Sequence, residues 1–141
     1  MPQVLRCPRD GSRIWFGMDD FEIRSPDGHT TLILPSVGEA LRGDSQHKVL
    51  FQDWVLPGYA WGDGLAWSAC SSFLAIDWLS DLCAIERHCI IVDIASRSTF
   101  TLPNYVAVSR FKYPHVYAGG SGNERLVFVF TGQEHWSRVA A

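Results

Sequence analysis

Residues 61–103 read WGDGLAWSACSSFLAIDWLSDLCAIERHCIIVDIASRSTFTLP, and their period-two alternation decides the fold class. Leu65, Trp67 and Ala69 fall on one face of a first run. Ser71-Ser72 interrupts it, because small hydroxyl side chains hydrogen-bond the local backbone and favour turns. In the second run Leu74, Ile76 and Trp78 share one face, and Phe73, Ala75 and Asp77 the other. The third run sets Ile90, Val92 and Ile94 against Cys89, Ile91 and Asp93. After the turn Ala95-Ser96-Arg97-Ser98, Phe100 and Leu102 alternate with Thr99 and Thr101, and Pro103, lacking an N–H, ends the strand. Both faces of the middle runs are apolar, which predicts a sheet covered on both sides. Residues 79–88 form a connection longer than a tight hairpin, a place for a working surface.

The segments AWSACSSFLAIDW and CIIVDIASRSTFTLP together resemble one four-stranded blade of a β-propeller, of the periplasmic-translocation-protein and tryptophan-aspartate repeat kind. The resemblance covers about a third of the chain. Its usual Pro-Asp-Gly turn is replaced by Ala69-Cys70-Ser71-Ser72. A chain of 141 residues is one domain and is too short for a closed propeller, which needs about four blades of about 40 residues. A full ring would require oligomerisation. The expected fold is therefore mainly β, an antiparallel meander of blade-like or sandwich or half-barrel type, with about nine strands and one short helix.

Outward from this stretch, FEIRSPDGHTTLILP (residues 21–35) aligns without a gap with CIIVDIASRSTFTLP (residues 89–103). Both read strand, polar turn, strand, Leu-Pro, which predicts an internal hairpin repeat with Leu34 and Leu102 in equivalent buried places. Residues 14–18 read as a strand, with an edge strand before them at Val4-Leu5. Ser36 with Glu39 three residues on forms a capping box, and Gly43 supplies a stop, so a helix is expected over 36–42. Residues 49–55 read as a strand, Pro57-Gly58 as a turn, and Tyr59 to Gly64 as a glycine-spaced aromatic loop. Further strands are expected over 105–113 and 126–130, separated by the loop Gly119-Gly120-Ser121-Gly122. Trp136 is the one anchor of the polar tail.

Six Trp, eight Phe and four Tyr against 19% charged residues argue for a packed core. The net charge of −3 speaks against nucleic acid as a partner. There is no basic start followed by an apolar run and no stretch of about 20 apolar residues, so a soluble cytoplasmic protein is expected. Cys7, Cys70, Cys83 and Cys89 contain no C-x₂-C pair, which predicts reduced thiols and no metal site. No G-x-S-x-G, H-E-x-x-H or P-loop occurs, and the five His are scattered, so no catalytic set and no cofactor are expected.

Charge is divided along the chain. Asp44 to Glu86 holds six acids and one base, and Arg97 to Ala141 holds five bases and two acids. Carboxylates around exposed aromatic rings steer and anchor a basic partner. The residues expected to form such a surface are Asp53, Trp54, Tyr59, Trp61, Asp63, Asp81 and Glu86. Small, acidic, Trp-rich, all-β chains without catalytic motifs resemble in character the immunity proteins of bacterial toxin systems. That likeness implies a non-catalytic module that binds and neutralises a cognate toxin. Two other readings stand beside it: a sugar or nucleobase stacked on Trp54, Tyr59 and Trp61, and a blade-like assembly component that pairs at its edges.

Overall fold

The computed structural model describes residues 3–16, 19–39, 45–82, 86–120 and 122–139. Fourteen strands fall in these segments: β1 (Gln3–Arg6), β2 (Ile14–Trp15), β3 (Phe21–Arg24), β4 (Thr31–Leu34), β5 (Ser36–Glu39), β6 (Ser45–Phe51), β7 (Val55–Trp67), β8 (Phe73–Leu79), β9 (His88–Asp93), β10 (Ser98–Thr101), β11 (Val108–Lys112), β12 (His115–Ala118), β13 (Arg125–Val129) and β14 (Ser137–Arg138). Eleven of them build one sheet in the order β1-β3-β4-β6-β7-β8-β9-β10-β14, with β2 added to β7 and β5 to β6. The remaining three, β11-β12-β13, make a small second sheet. All the pairings are antiparallel except that of β1 with β3.

The two faces assigned from alternation separate into two cores. Leu65, Trp67, Leu74, Ile76, Ile90 and Val92 join Phe21, Ile23, Leu32 and Leu34 in one cluster. Ala66, Ala75, Cys89, Ile91 and Leu102 join Val108, Phe111, Val116 and Phe130 in the other. Strands from both halves of the large sheet meet in the first cluster, so that sheet must curl around it, yet among the described residues no ladder joins β1 to β14 and the sheet does not close. The small sheet covers the opposite face of β8 and β9, which is why both faces of those strands are apolar. Trp136 anchors the tail there, within ring-contact distance of Phe73, Phe100 and Phe130.

The turn at Ser71-Ser72 is held by its own side chains. Ser71 takes a positive φ of 68°. The Trp67 indole donates to its carbonyl oxygen at 2.9 Å, and its hydroxyl accepts the Asp27 N–H at 3.0 Å. These bonds offset the cost of a left-handed conformation in a residue with a Cβ. They also tie this turn to the Ser25-Pro26-Asp27-Gly28 turn between β3 and β4, which closes through Gly28 N–H to Ser25 at 2.9 Å.

The two aligned hairpins pair in one register. Phe21 faces Leu34, and at the matching position Leu102 N–H bonds the Cys89 carbonyl at 3.0 Å. Leu34 and Leu102 are both buried, in different clusters.

Four local expectations are corrected. The helix expected over 36–42 begins instead as β5, whose Ser36 pairs with His47 of β6, and no helix occurs among the described residues. The rest of that helix, residues 40–42, lies outside them. A ladder partner outweighs a two-turn capping signal. Residues 49–55 are not one strand, because the chain bends at residues 52–54 between β6 and β7. Pro57-Gly58 and the expected loop at 59–64 lie inside the 13-residue β7. Gly58 has φ 82°, and a Cβ there would collide with the Leu79 carbonyl oxygen and the Trp78 indole. That glycine lets β7 run on close beside the end of β8, its antiparallel neighbour, rather than turn back. Fourteen strands thus replace about nine.

Candidate functional site

Asp53 and Trp54 sit at the bend between β6 and β7, Asp53 exposed and Trp54 half-buried. The bend is fixed by the Phe51 N–H donating to the Trp54 carbonyl at 2.8 Å and by stacking of the two rings, 4.5 Å between centroids at 11°. Arg97, from the turn between β9 and β10, lies 5.9 Å from the Trp54 ring. A cavity of about 220 Å³ opens there, lined by Asp53, Trp54, His29, Thr30 and Arg97.

Tyr59 is half-buried in β7 and pairs with Leu79, the last residue of β8. The connection that follows carries Asp81 and Glu86, both exposed. Glu86 is 3.7 Å from His88 Nε2. At about 3.3 Å per residue, Tyr59 is roughly 16 Å from Trp54 along the strand. Asp63 belongs to β7, and its side chain lies outside the described ones.

Trp61 departs from the expected surface. It is only 7% exposed, and the Arg87 guanidinium covers its ring at 3.7 Å. It is not free to stack on a sugar or nucleobase beside Trp54 and Tyr59. Arg87 also lies 5.7 Å from the Tyr105 ring and hydrogen-bonds its hydroxyl oxygen. The Tyr105 hydroxyl bonds Asp77, and Asp77 receives Arg13 Nη2 at 3.1 Å. Both members of that ion pair are buried, with side-chain exposures of 7% and 5%. A second Arg13 nitrogen donates to the Val108 carbonyl at 3.1 Å, which ties β2's approach to the small sheet.

Burial pushes the Asp77 carboxyl above the ordinary carboxylate range, and Arg13 and Tyr105 hold it partly down. Asp77 therefore does not contribute to an acidic surface, although the sequence counts it in the acidic half. The linear charge division is partly cancelled in space, because Arg13, Arg87 and Arg97 all return to the acidic segment. No local pattern announces Arg13 and Asp77, which are far apart in sequence. The one available signal was an Asp on a strand face otherwise made of Phe73 and Ala75.

Cys7 and Cys89 are buried thiols, and Cys70 is exposed. Desolvation pushes the Cys7 thiol up to about 12, and Cys89 upward as well, so both stay protonated at neutral pH. Cys83 lies outside the described residues. Among the described residues no three His, Cys, Asp or Glu side chains converge as a metal site would require. Among them, too, no helix is long and apolar enough to cross a membrane. A further aromatic residue missed by the sequence reading is Trp15 of β2, 65% exposed.

The chain matches no model of a known protein family, no curated protein and no solved structure.

Proposed function

We propose that this chain is a non-catalytic protein-binding module that engages a basic partner, and that in its cell it acts in the cytoplasm as an immunity protein neutralising a bacterial toxin domain. The observation that carries the reading is that three carboxylates on connections are exposed, Asp53 beside the half-buried ring of Trp54, and Asp81 and Glu86 on the connection that follows Leu79, the ladder partner of half-buried Tyr59. Half-buried aromatic rings supply desolvated contact area, and rim carboxylates accelerate encounter with a cationic surface.

The structure-based roles differ from those in the sequence. Trp54 takes the place of the central anchor. Trp61 acts from below, holding Arg87 and through it the end of the β8–β9 connection on which Glu86 sits. Arg87 and Arg97 punctuate the acidic surface, which favours a partner with a patterned charge over a uniformly basic one.

The test is a titration of the purified chain with the product of the adjacent reading frame. The reading expects a one-to-one complex that Trp54→Ala weakens by about tenfold or more, a shift of about 1.4 kcal/mol. The absence of a complex, or a complex indifferent to both Trp54→Ala and Asp53→Ala, would show that this surface is not the binding face.

A further inference from the structure

A second open groove, of about 550 Å³, lies away from the acidic surface, between β2 and the small sheet. Its volume falls within the roughly 300–1,000 Å³ of small-molecule sites. Trp15 forms part of its wall and is the most exposed of the large hydrophobic residues. Alternation explains its direction. Ile14 packs against the first core and pairs with Leu65, so Trp15, paired with Gly64, faces outward.

The indole stands on a rigid support. Arg13 covers one face of it, 4.7 Å from the ring centroid, and Arg13 is itself pinned by Asp77 and the Val108 carbonyl. With Trp15 65% exposed and in the groove wall, most of the ring beyond this contact is open to the groove. The rest of the groove is polar. Arg110 pairs with Glu124, which also accepts the Ser109 hydroxyl at 3.3 Å. Arg110 Nε has no hydrogen-bond partner. Gly120 and Gly122 have no atom within 4 Å of where a Cβ would stand, so that wall is bare backbone.

Charge selects the ligand class. Each groove arginine already has its carboxylate, Asp77 for Arg13 and Glu124 for Arg110. A phosphate or carboxylate would have to compete with these, and a neutral ligand would not. What remains is one flat apolar face beside a mixed rim of donors and acceptors. A ligand that fits has a C–H face to lay on the electron-rich indole and hydroxyls around its edge. We infer that this groove binds a neutral sugar, with one pyranose ring stacked on the open face of Trp15 and its hydroxyls bonded to Glu124, Ser109 and the backbone at Gly119-Gly120. The site is separate from the acidic surface and does not depend on the toxin-binding reading.

The experiment uses the whole chain and an array of neutral gluco-, galacto-, manno- and N-acetylglucosamine oligosaccharides. Hits are then followed by calorimetry and by amide and indole NMR titration, with ATP and inorganic phosphate as anionic probes. The inference expects at least one neutral oligosaccharide to bind and to shift the Trp15 indole N–H resonance in the unaltered protein. It also expects an affinity insensitive to salt, reduced about tenfold or more by Trp15→Ala and less by Trp15→Phe. The indole shift provides a readout even if the alanine variant folds poorly. No binding across the array overturns the inference. So does binding that leaves the Trp15 indole unshifted, or salt-sensitive binding of ATP or phosphate in place of the sugars.

Discussion

The Arg87 guanidinium carbon lies 3.7 Å from the centroid of the Trp61 ring, closing that ring off from solvent. Arg87 then passes to Tyr105, Tyr105 to Asp77 and Asp77 to Arg13, so a chain of polar contacts begins at a half-buried arginine and ends inside the protein. Cation–π contacts of this kind contribute about 0.5–2 kcal/mol, more as the cation is desolvated.

Trp61 is consequently a core residue in its energetics. Trp61→Ala is expected to cost about 3–5 kcal/mol of folding stability by opening a cavity, measured from urea unfolding midpoints. A cost within about 0.5 kcal/mol, as for a surface substitution, would show that the ring is not held as described. Any loss of binding in that variant should therefore be read against its stability.

The Arg13–Asp77 pair carries a signed pH prediction. The Asp77 carboxyl is raised above its ordinary value, chiefly by burial. Between the unfolded and the folded value the native state holds more protons, so Asp77's contribution to stability falls as pH rises through that window. The difference in unfolding free energy between the unaltered chain and Asp77→Asn should narrow on going from below the ordinary carboxylate range to neutral pH. A widening difference would mean that Arg13 outweighs desolvation.

His47 titrates in the other direction from the same cause, because burial disfavours the charged form of either group. It is fully buried between Phe16 and Phe21, with Nε2 2.9 Å from the Asp19 carbonyl, and burial lowers its pKa from 6.5. As pH falls below 6.5 the unfolded chain takes up a proton that the native ring resists, so stability declines. Thermal melting from pH 7.5 to 5.5 should show this decline in the unaltered chain and lose it in His47→Gln. Equal slopes in the two proteins would assign the decline elsewhere.

Leu34 is 0% and Leu102 5% exposed, at matching positions of the two aligned hairpins but in separate clusters. Each Leu→Ala change should cost about 2–5 kcal/mol in denaturant unfolding. Because the clusters lie on opposite faces of the large sheet, the double variant should be additive within about 0.5 kcal/mol. Strong non-additivity would indicate that the two faces share one packing unit.

Strand faces were legible in residues 61–103 because the runs that form β8 and β9 are short, continuous and bounded by turn residues, so that positions two apart share a face whether or not their hydropathy differs. Turn chemistry was legible where it is local, as at Ser25 to Gly28 and Ser71-Ser72. The signals that misled were also local. Ser36 with Glu39 imitates a helix start, and Pro57-Gly58 imitates a turn, but pairing with His47 and the close approach of β7 to the end of β8 decide both. The site was less legible, because solvent exposure depends on distant partners. Nothing beside Trp61 in sequence indicates that Arg87 will cover it, and nothing beside Trp15 indicates that it will stay uncovered.

The most direct test of the binding account is the rate of association with the product of the adjacent reading frame, measured by stopped flow at low and high salt for the unaltered chain, Asp53→Ala and Glu86→Ala. The account predicts fast association at low salt that slows as salt rises, and slower, less salt-dependent association when either carboxylate is removed. Association that is unaffected by salt and by both substitutions would contradict it.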